Sequence, residues 1–93
     1  MHIKWTRAEL TAVRDAIEVT PLFEGRADVR KTIREALRAS RTTVALDLEL
    51  GERLARHLVP VDMHTAFAKV KLLRAVRDER QAGTAAPRAA DAA

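Results

Sequence analysis

The sequence predicts an α+β fold, mostly α, in which two β-α-α units share a two-stranded antiparallel ribbon packed on four helices. Three observations predict it. Two short stretches, His2 to Trp5 and Thr43 to Leu46, alternate polar and apolar side chains, as half-buried strands do. Each is followed by a helix-start signal and two amphipathic segments. The apolar positions of the halves also superpose: Ile3, Trp5, Val13 and Ile17 match Val44, Leu46, Leu54 and Leu58 at a shift of 41, and Ile33 and Leu37 match Leu72 and Val76 at a shift of 39. Strands this short are not stable alone, so they are expected to pair with each other.

Each element has a local cause. Thr6 and Glu9 form a T-x-x-E capping box that starts the first helix, with Leu10, Val13, Ala16 and Ile17 as its apolar stripe. Pro21 and Gly25 end it. A second helix is expected from about Arg26 to Ser40, with Val29, Ile33, Ala36 and Leu37 on one face. Asp47 is an N-cap for a third helix, along which Leu50, Leu54 and Leu58 recur every four residues. Pro60 interrupts it, and Asp62 caps a fourth helix reaching to about Arg80. One compact domain over 1–81 is expected, made of pseudo-repeats 1–40 and 41–81. The stretch 82–93, with Gly83, Pro87 and many Ala, has no apolar periodicity and is expected to be a disordered tail.

The fourth helix is unusual. Met63, Ala66, Phe67, Val70, Leu72, Leu73 and Val76 cover well over half its circumference. Such a helix is either central to its own core or has a second partner. In a chain of 93 residues, whose own core is thin, a homodimer interface through Met63, Phe67, Val70 and Leu73 is the expectation.

Composition narrows the function classes. There is no Cys, so disulfides and thiolate metal sites are excluded. No apolar run approaches the ~20 residues of a membrane span, and the N-terminal stretch lacks the apolar segment of a signal peptide. A cytoplasmic protein is expected, and the Ala and Arg content suggests a bacterial genome of high GC content. With one Ser and no Tyr, the roles of an active site cannot be filled, so the chain reads as non-enzymatic and without a cofactor. His57 and His64 are separated by Pro60 and share no helix face, so no metal site is expected. Exposed aromatics for base stacking are lacking, because Trp5 reads as a core anchor.

The net charge of +4 is unevenly placed. Arg26, Arg30, Lys31, Arg34, Arg38 and Arg41 against Asp28 and Glu35 give the second helix a charge equal to the whole excess. Arg30, Arg34 and Arg38 follow each other at four-residue spacing and repel one another. A phosphate would relieve this. So would Glu35, paired with Lys31 and Arg38, leaving a solvated face.

The stretch "RTTVALDLELGERLARHL", Arg41 to Leu58, resembles the start of ribbon-helix-helix DNA-binding proteins, and "GRADVRKTIREALR", Gly25 to Arg38, is similar to that family's second helix. In that family two strands form an antiparallel ribbon that enters the major groove, and the second helix holds phosphate. The resemblance implies that Arg41 and Thr43, with Ala45 beside them, face DNA from the second strand and His2 and Lys4 from the first. It implies backbone phosphate sites near Arg26 and Met63, and in the DNA-binding reading Arg26, Arg30 and Arg34 contact phosphate as well. It covers about a third of the chain. The family has one β-α-α unit per chain, whereas here both strands come from one chain. The expected function is therefore that of a small DNA-binding protein, a transcriptional regulator acting on double-stranded DNA. The alternative is a protein–protein assembly module using the apolar face of the last helix.

Overall fold

In a computed structural model, backbone is described for residues 1–20 and 22–92, and side chains for those residues up to Ala82. The chain is mostly helical with a small antiparallel sheet. Its order is β1 (His2–Lys4), α1 (Arg7–Val19), α2 (Arg26–Arg38), β2 (Thr43–Ala45), α3 (Leu48–His57) and α4 (Met63–Ala92).

β1 and β2 pair antiparallel, with His2 opposite Ala45, Ile3 opposite Val44 and Lys4 opposite Thr43. This register has a consequence for the internal repeat. The shift of 41 maps Ile3 onto Val44, and those two residues face each other. The central pair is therefore its own equivalent, and a pseudo-two-fold axis passes through it. The flanking bonds obey the same relation. The Leu46 amide donates to the Met1 carbonyl at 3.0 Å, and the Trp5 amide donates to the Thr42 carbonyl at 2.9 Å. A shift of 41 exchanges one with the other.

The helix starts are equivalent too. The Thr6 hydroxyl accepts from the Glu9 amide, and the Glu9 carboxylate accepts from the Thr6 amide, completing the capping box. One repeat later, the Asp47 carboxylate accepts from the Leu50 amide at 2.8 Å.

The core lies beneath the ribbon. Ile3, Trp5, Val44 and Leu46 point into it and meet Leu10, Val13 and Ile17 of α1, Val29 and Ile33 of α2, Leu54 and Leu58 at α3, and Ala68, Leu72 and Val76 of α4. Trp5 is wholly buried, and its indole Nε1 donates to the Ala68 carbonyl at 3.0 Å. A buried indole needs such a partner.

Helix ends depart from the sequence reading in two places. α2 stops at Arg38, and Ser40 adopts a left-handed conformation, φ 54°. The Arg41 amide donates to the Ala36 carbonyl at 2.8 Å and the Ser40 amide to the Leu37 carbonyl at 3.3 Å. This is the Schellman arrangement, and it turns the chain directly into β2. α4 runs to Ala92 rather than ending near Arg80, with six alanines between Gln81 and Ala92 favouring helix against Gly83 and Pro87, which oppose it. The tail expected over 82–93 falls almost wholly outside the residues with described side chains.

Candidate nucleic-acid interface

The ribbon's outer face is built by the two-residue alternation of its strands. With Ile3 and Val44 committed to the core, His2 and Lys4 on β1 and Thr43 and Ala45 on β2 must point outward, and all four are exposed. Arg41 is exposed just before β2. Its backbone is held by the helix-end bond to Ala36, so the side chain leaves a fixed corner. His2, Lys4, Arg41 and Thr43 are thus brought to one ribbon.

One side of this face is walled. β1 and α4 enclose a trough of about 700 Å³ whose lining includes His2, Lys4, Thr42, Arg74, Asp78 and Glu79. Two carboxylates thus stand beside β1, which the sequence cannot reveal because it depends on how α4 lies against the strand.

The three arginines assigned to phosphate have different surroundings. Arg26 donates from Nη2 at 2.8 Å and Nε at 3.2 Å to the Ile17 carbonyl. It closes the C-terminal end of α1, where a cation suits the helix dipole. Arg30 and Arg34 share Glu18 of α1, at 2.9 and 3.5 Å. The expected pairing of Glu35 with Lys31 and Arg38 does not form; among the described residues Glu35 has no ion pair. The counter-charge comes from the neighbouring helix, which local spacing cannot reveal. Even so, Glu18 is one carboxylate for two guanidinium groups, and Lys31 and Arg38 remain exposed on the same helix without ion pairs among the described residues.

The helix N-termini differ. α2 begins at Gly25, φ 90°, with no side chain capping it. A Cβ there would lie 2.0 Å from Leu50 Cδ2, so the conformation favours glycine and any larger residue would also have to displace the Leu50 side chain. At α4 the site expected near Met63 already holds an anion. Asp62 Oδ1 accepts from the Thr65 amide at 2.7 Å and the Thr65 hydroxyl at 2.8 Å. The Thr65 amide and hydroxyl hold this carboxyl below its ordinary range, against a small opposing effect of desolvation.

The four residues assigned to an interface are on the outside of the molecule. Met63, Phe67, Val70 and Leu73 are 62, 53, 46 and 48 % exposed. They fall within an arc of about 120° on α4, opposite the buried Thr65, Ala68, Leu72 and Val76. The helix is apolar on two sides, one used by its own core and one facing solvent.

Among the described residues no group of three His, Asp or Glu side chains could hold a metal ion, and no helix is long and apolar enough to cross a membrane. His57 is half-buried, stacked on Phe23 with ring centroids 4.9 Å apart. No protein-family model, curated protein or solved structure matches the chain.

Proposed function

We propose that this chain binds double-stranded DNA by placing its ribbon in the major groove, as a small cytoplasmic regulator of transcription in a bacterium. The observation that carries the reading is the ribbon itself: an antiparallel pair centred on Ile3 and Val44, with its polar side chains outward. A major groove about 12 Å wide admits a two-stranded ribbon. His2, Lys4, Arg41 and Thr43 supply donors for base edges and phosphates. Arg30 and Arg34, with Lys31 and Arg38 beside them, supply phosphate contacts. Arg26 contributes through the end of α1 that it closes. The activity needs no cofactor and no catalytic group.

Fluorescence anisotropy with a labelled random duplex, titrated with salt, tests this. Binding is expected to weaken linearly in log affinity against log salt, with a slope that counts the phosphates engaged. Lys4→Ala combined with Arg41→Ala is expected to weaken binding by about tenfold or more with an unchanged melting temperature. No binding at low salt overturns the proposal.

A second reading, an assembly module, is favoured by one observation, the exposed apolar stripe on α4. Val70→Glu would disrupt assembly and leave DNA binding intact, whereas the Lys4 and Arg41 substitutions would do the reverse.

A further inference from the structure

The pseudo-two-fold makes the stripe on α4 informative. At the shift of 39 that relates α2 to α4, Met63, Phe67, Val70 and Leu73 correspond to Glu24, Asp28, Lys31 and Arg34. All four of those are exposed and charged. The same position in the same fold is therefore satisfied by a solvated charged face, and nothing in the packing of one chain calls for apolar side chains there. Half-exposed apolar groups grouped on one helix face mark a contact surface.

We infer that this face pairs with the same face of a second copy, the two α4 helices running antiparallel about a two-fold axis close to Val70. Charge selects this occupant and this direction. The stripe is bounded by Asp62 at its N-terminal end and by Arg74 and Arg77 at its C-terminal end. In a parallel pair Arg74 and Arg77 would lie against their own copies. In the antiparallel pair Phe67 faces the partner's Leu73, and Asp62 comes to the flank of the partner's Arg77. The groups are available for this. Asp62 uses only Oδ1 within its own chain, Arg74 has no ion pair among the described residues, and Arg77 has only its sequence neighbour Asp78, at 3.6 Å. An isologous contact of this kind is self-complementary and closed, so assembly stops at two. Antiparallel helices also oppose their dipoles favourably. The inference does not depend on DNA binding, because its apolar contacts are Met63, Phe67, Val70 and Leu73, none of which lines the trough beside the ribbon.

The absence of cysteine makes the test direct. Sedimentation of the wild-type chain is expected to move from 10.3 kDa to twice that mass as concentration rises, and Val70→Glu is expected to stay monomeric with an unchanged circular dichroism spectrum. Two single-cysteine variants, Val70→Cys and Gln81→Cys, are then treated with a short bifunctional maleimide. Position 81 lies on the same helix face, eleven residues from the axis. Its copy is about 33 Å away in an antiparallel pair, at 1.5 Å per residue, and adjacent in a parallel one. Crosslinking of Val70→Cys without Gln81→Cys is the expected result. A wild-type chain that remains monomeric into the millimolar range overturns the proposal. So does crosslinking at position 81, or a dimer that crosslinks at neither position.

Discussion

Lys71 of α4 reaches Glu9 of α1, 62 residues away in sequence, and its Nζ donates to Oε1 at 2.7 Å. Glu9 is almost wholly buried, and the same oxygen accepts from the Thr6 amide at 2.7 Å. One carboxylate therefore caps a helix and ties it to another. Burial raises the carboxyl's pKa, but the Lys71 ammonium and the bonds with Thr6 outweigh it and hold Glu9 below its ordinary range. Replacing Lys71 with Met leaves that buried acceptor short of a partner and is expected to cost about 1–3 kcal/mol, measured by urea denaturation.

The same carboxyl makes stability depend on pH. Its pKa is lower in the folded chain than in the unfolded one, so its contribution is fully present above the unfolded value. The contribution is lost as pH falls through the lowered folded value. Melting temperatures followed from neutral into the acid range should decline in the wild type only at low pH. In Lys71→Met the burial that raises Glu9 is less opposed, so the folded value moves back toward or above the unfolded one and the acid-range loss of stability from this carboxyl should be smaller than in the wild type. Identical acid limbs in the two proteins would refute the coupling.

Trp5 offers a second check on the core. Trp5→Phe removes the donor to the Ala68 carbonyl and is expected to cost about 0.5–1.5 kcal/mol for the hydrogen bond, plus the smaller ring's lost packing. Trp5→Ala should cost about 3–5 kcal/mol. Because Trp5 is the chain's one tryptophan, its fluorescence reports wild-type unfolding, and circular dichroism follows the variants.

Ser40 holds a left-handed conformation that glycine adopts without strain. Ser40→Gly is expected to stabilise the fold by about 0.5–1 kcal/mol, seen as a raised melting temperature. Gly25→Ala should act in the opposite sense, since its Cβ meets Leu50 in a backbone conformation that alanine disfavours.

Glu18 is the counter-charge to Arg30 and Arg34. Both pairs are partly exposed, so Glu18→Gln should change stability by less than about 1 kcal/mol. On the DNA-binding proposal it should tighten binding to duplex DNA and steepen the salt dependence. Unchanged affinity would remove these two arginines from the contact surface.

The legible and illegible parts of this fold divide along sequence separation. The Thr6–Glu9 box, the Asp47 cap and the alternation around Ile3 and Val44 are short-range patterns, and the structure realises each where the sequence places it. The double-sided character of α4 was legible from the angular spread of its apolar residues, and so was the pairing of the strands, since neither could stand alone. Arg26 on the Ile17 carbonyl, Glu18 beneath two arginines and Lys71 on Glu9 were not legible, because each depends on how two helices lie against one another. The end of α2 shows the limit of local rules. Ser40 fills a position that usually announces itself with glycine, so the turn has no signature in the residue that makes it.

Both strands of the ribbon belong to one chain, and the pairing therefore survives any dilution. A mutation in one strand is also not copied into the other. The two ends of the outer face differ, with His2 and Lys4 on one strand where Thr43 and Ala45 stand at the equivalent positions of the other. Whatever lies along this ribbon meets a surface with a direction, and a target that reads the same from both ends would leave half of that difference unused.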